Sequence, residues 1–321
     1  MQIAITGAAG FIGSNLARRL ADGAAELLLV DHPLVPEKAA NLRGLEAYRV
    51  VGHERFAAGL EAGEFRPDVL YHLGACSSTT ETDWAYLTEN NIGYTQRMWR
   101  WCAAEGRPLV YASSAATYGD GSLGFDDERH PRELRPLNLY GRSKNDFDAW
   151  ALAEVDAGHP APPTWAGVKF FNVHGPHEAH KRSMASVVWH ARRQVLATGE
   201  MKLFKSNDPR IADGEQRRDF VYVGDCLSHV TWLAARAGTA GLFNSGTGTA
   251  RTFLDLTHAV FDALGRERRI RFIDMPAALS GQYQNYTQAP MAKLRGTGFV
   301  GTSTPLAQGV AATLSSATAD D

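Results

Sequence analysis

Short apolar runs alternate with amphipathic stretches of helical length over the first half of the chain. The runs at 3–6, 26–31, 69–73 and 109–113 are bounded by glycine, proline or polar residues and read as buried strands. Between them, apolar residues recur at helical spacing. This alternation predicts an α/β fold, a doubly wound parallel sheet with helices on both faces, because parallel neighbours require a crossover. Right-handed crossovers then place the carboxyl ends of the strands along one edge, where ligands bind. After about residue 166 the pattern changes. Loops rich in Gly, Pro, His and Arg at 172–183, 206–218 and 276–288 interleave with helices and short strands, which predicts a smaller α/β lobe.

Composition narrows the function more than the fold. A chain of 321 residues can bury the core of one large α/β unit. The net charge of −2 and the absence of a dense Lys/Arg run argue against a nucleic-acid or anionic-membrane partner. No apolar stretch approaches the roughly 20 residues of a spanning helix. A first strand directly after Met1 leaves no room for a signal peptide, and Cys76, Cys102 and Cys226 lack disulfide or metal-ligand spacing, so a soluble cytoplasmic protein with reduced thiols is expected. His174, His177, His180 and His190 lack a cysteine or carboxylate pair to complete a ligand set, and Pro176 interrupts any helix that would align them; no metal site is predicted.

Gly7, Gly10 and Gly13 follow the first strand and open an amphipathic helix in TGAAGFIGSNLARRL. Such glycines permit a tight turn, close approach of backbone to a pyrophosphate and close packing of helix on sheet, which predicts a Rossmann-type dinucleotide site. Asp31 ends the second strand 18 residues after Gly13, where a carboxylate accepts hydrogen bonds from an adenosine ribose and favours NAD. Lys38, seven residues on, is either a surface lysine or the cation that the 2′-phosphate of NADP requires.

Tyr140 and Lys144 stand in YGRSK, with Ser113 and Ser114 upstream in YASSAATYG. Positions i and i+4 share a helix face, so the ammonium can sit beside the phenol. A phenol titrates near 10, and service as a base near neutrality calls for a shift of about 3 units, for which Lys144 and an oxidised nicotinamide are both suitable cations. Ser114 would hold the reacting oxygen against the tyrosine. Arg217 and Arg218 are suited either to a diphosphate or to surface ion pairs with Asp213 or Glu215. The tryptophans at 84, 99, 101, 165, 189 and 232 are assigned to packing.

Together these residues resemble the extended short-chain dehydrogenase/reductase superfamily. HLGACSSTTETDW (72–84), ENN (89–91), FFNVHGPHEAHKRSMASVVWH (170–190), RRDFVYVGD (217–225) and GQYQNYTQA (281–289) are similar, more narrowly, to the ADP-L-glycero-D-manno-heptose 6-epimerases, a resemblance that runs from residue 1 to about 314. It implies Tyr140, Lys144 and Ser114 as catalytic residues, with Lys181 either a second acid/base or a counter-charge to the diphosphate. It implies cofactor contacts from Gly7, Gly10, Phe11, Ile12, Gly13, Asp31, His32, Lys38, Leu73, Gly74, Ala75, Cys76, Ser77, Asn90, Tyr140, Lys144, Val173 and Lys181. Sugar-nucleotide contacts fall to Ser114, Asn172, Ser183, His190, Phe204, Lys205, Ser206, Asn207, Arg218 and Tyr283.

The same resemblance favours NADP, with NAD a poorer substitute, and implies a homo-oligomer, a pentamer. Three departures stand out: His53 where the family carries a lysine, His174-Gly-Pro where Tyr-Gly-Pro is usual, and a longer 206–218 segment. The implied division is 1–166 mainly NADP-binding Rossmann domain, 167–314 mainly substrate lobe with segments returning to it, and 315–321 a disordered tail. The implied reaction is inversion at C6″ of an ADP-heptose through a 6-keto sugar, for lipopolysaccharide inner-core heptose. A 4-epimerase or 4,6-dehydratase on the same scaffold is the nearest rival; Ala115, Ala116 and Thr117 after Ser114, in place of an acidic pair, argue against elimination. A dinucleotide-sensing regulator would have little reason to keep Ser114, Tyr140 and Lys144 together.

Overall fold

Ile3 and Ile5 turn to one face of the first strand, β1 (Gln2–Thr6), and Ala4 turns to the other; all three are buried. That two-sided burial marks a sheet covered on both faces. The computed structural model describes residues 1–23, 26–32, 35–45, 48–276 and 283–315. After β1 the main sheet gains β2 (Glu26–Asp31), β3 (Arg49–Gly52), β4 (Val69–His72), β5 (Leu109–Ser114) and β6 (Trp165–Phe170). The second half contributes β7 (Asn172–His174), β8 (Met201–Phe204), β9 (Arg217–Arg218), β10 (Phe220–Tyr222), β11 (Ala240–Ser245), β12 (Arg251–Thr252) and β13 (Ile270–Ile273). Seven of these form one parallel sheet in the order β11-β6-β5-β4-β1-β2-β3. The fold is Rossmann-like, as the alternation of elements predicts.

Helices cover both faces. Ile3, Ile5, Leu27, Leu29, Val110 and Val168 pack with Phe11 and Leu16 of α1 (Phe11–Ala21) on one side, and Phe243 of β11 joins them. Leu28, Val30, Leu70, Tyr111 and Trp165 pack on the other with Trp99 and Cys102. Strand register therefore follows from the period of two, since a one-residue slip would reverse every face. Trp99, Trp165 and Trp189 are buried, while Trp84, Trp101 and Trp232 are half-buried. Cys102 and Cys226 are core thiols.

The strand read at 69–73 stops at His72, and Leu73 begins a loop. β6 runs across residue 166 and β11 returns to the sheet from far downstream. A separate core of Val188, Val195, Leu203, Phe220, Leu256, Val260 and Val310 fills the second lobe, around the two-stranded sheets β10-β7 and β13-β8. Ser315 ends the last helix, Leu306–Ser315; the remainder of the expected tail lies outside the described residues.

Candidate active site

The chain reverses direction across the sheet between β1 and β4, and a cavity of about 670 Å³ opens there above the strand ends. Gly7 sits at φ +67°, and a Cβ on it would stand 2.6 Å from Gly74 Cα, so only glycine lets the two loops touch. A Cβ on Gly13 would come within 2.1 Å of the Gly7 carbonyl oxygen. The turn therefore presents bare backbone to the cavity. α1 begins at Phe11 behind Gly10, which offers no side-chain cap, and has no acidic residue in its first turn, which suits a pyrophosphate on its N–H groups.

At the end of β2, Asp31 is 3% exposed, and its carboxylate already has partners. One oxygen accepts from Ala9 N–H (2.8 Å) and the other from His32 N–H (2.8 Å) and the Lys38 ammonium (3.0 Å). The carboxylate thus pins the glycine turn while tethering Lys38 at the cavity rim, which joins the two alternatives that the sequence set against each other. His32, His53 and His180 line the same end, with the rings of His32 and His53 3.8 Å apart. Burial lowers the pKa of His32, and burial with the Lys38 and Lys181 cations lowers that of His180 to about 4.

At the other end, α6 (Leu139–Asp156) is capped by the Asn138 side chain, which accepts from Gly141 N–H at 2.8 Å. A Cβ on Gly141 would meet the Ala116 carbonyl at 2.8 Å; its absence lets α6 press against the turn after Ser114. Tyr140 thereby lines the same cavity as Ser114, whose side chain counters part of the effect of burial on the phenol. Burial nevertheless raises the phenol above its ordinary value. Burial also lowers Lys144, one turn along the same helix, to about 8.

Lys181 comes from a strap at 175–186 that docks on α1 and on α2 (Pro36–Ala40). Ser14 Oγ lies 3.0 Å from His177 Nδ1, Asn15 donates to the Pro176 carbonyl at 3.0 Å, and Arg182 pairs with Glu37 at 3.0 Å. His177 (φ 70°) and Arg182 (φ 49°) adopt left-handed backbone despite their side chains. Buried Glu178 closes the strap by accepting from Gly175 N–H and from the N–H and hydroxyl of Ser186. The Lys181 ammonium lies 5.2 Å from the Phe11 ring centroid; burial lowers its pKa against the pull of Glu178.

Every residue named above for the cofactor lines this cavity, as do Ser114 and Asn172. Ser183, His190, Phe204, Lys205, Ser206, Asn207, Arg218 and Tyr283 do not. Several gather beyond Asn172 instead. Asn172 faces Phe220 in the β7-β10 pair, and Thr287 donates to it at 3.3 Å. Arg218 is buried, with its guanidinium 5.1 Å from the Tyr283 ring centroid and 5.7 Å from that of Phe253; burial lowers it to about 10. Among the described residues neither Arg217 nor Arg218 forms an ion pair, so the alternative partners Asp213 and Glu215 are not used. Asn207 accepts from Asn285 at 2.9 Å, whereas Lys205 is exposed and paired with Asp274. Among the described residues no group of three metal-ligating side chains occurs.

Residues that sequence reasoning missed are mostly connectors. Asn90 donates to the Tyr86 carbonyl, while its neighbour Asn91 is buried and binds Cys76 N–H, Cys76 C=O and Ser143, joining the Leu73–Ser77 loop to α6. The ENN motif marks the place, but a π-helical turn, Thr88–Gly93, decides which asparagine faces inward. Phe253 carried no signal.

A model described as "NAD dependent epimerase/dehydratase family" matches residues 3–246. The chain belongs to that family. Within the epimerase/dehydratase family, the ADP-L-glycero-D-manno-heptose-6-epimerase of Nitratidesulfovibrio vulgaris is 45% identical over 95% of this chain and 94% of its own length. The crystal structure of the Helicobacter pylori ADP-L-glycero-D-manno-heptose-6-epimerase aligns with TM-score 0.81 at 26% identity, covering 98% of this chain and 95% of that one. A Thermus thermophilus UDP-glucose 4-epimerase, solved with NAD, aligns with TM-score 0.76 at 25% identity over 98% of both chains. The family's pyridine dinucleotide matches the uncapped helix and bare glycine turn described above.

Proposed function

We propose that this isomerase inverts C6″ of ADP-D-glycero-D-manno-heptose, with NADP as resident cofactor and NAD as a substitute, and so supplies ADP-L-glycero-D-manno-heptose for the lipopolysaccharide inner core. The observation that carries the reading is the convergence of Ser114, Tyr140 and Lys144 on the cavity that holds the glycine turn, in a chain 45% identical to a named heptose epimerase. When bound, the nicotinamide supplies hydride acceptance and return. Tyr140 takes the C6″ hydroxyl proton as the 6-keto sugar forms, and Ser114 holds that oxygen in reach. Because C6″ lies outside the ring, rotation about C5″–C6″ presents the other face while Arg218, Tyr283 and their neighbours keep the ADP part fixed. Lys181, across the cavity on the strap, is the second proton donor in this scheme.

Lys38, His32, His53 and His180 around Asp31 support the preference for a 2′-phosphate. NADP should therefore raise the thermal unfolding midpoint more than equimolar NAD; equal stabilisation would remove the preference. The division into a cofactor part (1–166) and a substrate part (167–314), assembly as a homo-oligomer, and a cytoplasmic location belong to the same proposal. No helix among the described residues is long and apolar enough to cross a membrane. The test of function is incubation with ADP-D-glycero-D-manno-heptose in heavy water. Inversion without deuterium at C6″ is expected; deuterium uptake there, or an unchanged sugar, overturns the reading.

A further inference from the structure

Behind the cavity wall several elements converge on one carboxylate that the reaction above does not use. Asp148 lies one turn beyond Lys144 on α6 and is 0% exposed. One of its oxygens accepts from the Tyr111 hydroxyl at 3.0 Å; the other accepts from the Ser113 hydroxyl at 2.7 Å and the Lys169 ammonium at 2.6 Å. Lys169 of β6, equally buried, also donates to Thr117 at 2.8 Å, and its ammonium stands 5.3 Å from the Tyr118 ring centroid. The end of β5, the turn after Ser114 and β6 are thus fastened to the helix that bears Tyr140 and Lys144. A buried ion pair is a weak stabiliser beside an apolar pair of similar volume, so its place one residue from Ser114 calls for another explanation.

We propose that the Asp148–Lys169 pair is a positioning device: it locks the Ser113–Ser114 end of β5 onto α6 and sets the electrostatic surroundings of Lys144, which stands one helical turn from Asp148. The inference rests on the reading of Tyr140 and Lys144 as the proton-transfer pair. Around Lys144 stand Tyr140 and Asp148 on its own helix, His72 of β4 and Cys76 of the following loop. His72 is neutral, with a pKa near 3, and burial raises the Cys76 thiol. Of these groups Asp148 supplies the negative charge that opposes desolvation of Lys144 at neutral pH.

The full chain, loaded with NADP and assayed with ADP-D-glycero-D-manno-heptose across pH, provides the test. Asp148→Asn leaves the Lys169 cation unbalanced and should move the alkaline limb of kcat to lower pH by about one unit. Lys169→Met leaves the carboxylate unbalanced and should move the limb to higher pH. The pH at which NADPH affinity falls, read from its fluorescence, should move in the same sense. Asp148→Asn/Lys169→Met, which leaves no buried charge in the pair, should shift acidward by less and serves if a single variant does not fold. A packing role would lower kcat without opposite shifts, and unmoved limbs in the folded variants overturn the proposal. Lys144→Met separates the two readings: if it retains the wild-type alkaline limb, the assignment of Lys144 itself fails, whereas loss of the limb there alone sinks only the positioning device.

Discussion

In the proposed reaction Tyr140 gives up its proton in a site that makes phenolate formation difficult, since burial raises the phenol and Ser114 alone offsets this only in part. Removing the hydroxyl while keeping the ring isolates that chemistry. Tyr140→Phe should lower kcat by about two orders of magnitude with little change in KM, measured by following C6″ inversion; near-wild-type turnover would reassign the base. Arg218 makes a different contribution, because its guanidinium is buried between Phe253 and Tyr283 with no counter-ion among the described residues. A lysine keeps the charge but loses the planar fork and the stacking. Arg218→Lys should raise KM for the sugar nucleotide about tenfold and leave kcat within a factor of a few. An unchanged KM would place the diphosphate elsewhere.

At the scale of elements, the site is held together by close approaches that leave no space for a side chain. Gly13 shows this most sharply, since a methyl there overlaps the Gly7 carbonyl oxygen at 2.1 Å. Gly13→Ala must push α1 away from the turn that positions its first N–H groups. Dinucleotide affinity, measured by fluorescence titration of NADPH, should fall at least tenfold; retention of wild-type affinity would mean that the α1 terminus does not hold the pyrophosphate. The glycine spacing, the strand runs and YGRSK were legible because each depends on neighbours in sequence. The partners of Gly141, Asn91 and Glu178 were not, because each lies on another element and the contact exists only after the sheet has ordered the loops.

For the whole molecule, burial of neutral histidines links folding to pH. His72 sits between the hydroxyls of Thr6 (2.6 Å) and Thr95 (2.9 Å), and burial lowers its pKa to about 3; burial likewise takes His174 and His229 to about 4. An unfolded histidine binds its proton near 6.5, so below that pH the unfolded chain takes up protons that the folded chain refuses, and stability falls progressively toward the folded pKa values. At pH 5 His72 alone should cost about 2 kcal/mol relative to pH 7.5. Thermal unfolding midpoints should therefore drop between pH 6.5 and 4.5, and a flat profile would contradict this burial. The sequence by itself determined the parallel α/β sheet, the glycine turn and the Tyr-Lys face, because periodicity and local turn chemistry act over a few residues. Only the tertiary structure decided that Lys38 pairs with Asp31, that Lys181 reaches the cavity on a strap, that Arg218 meets two aromatic rings, and that the buried Asp148 stands one turn behind Lys144, because long-range packing and desolvation set those relations.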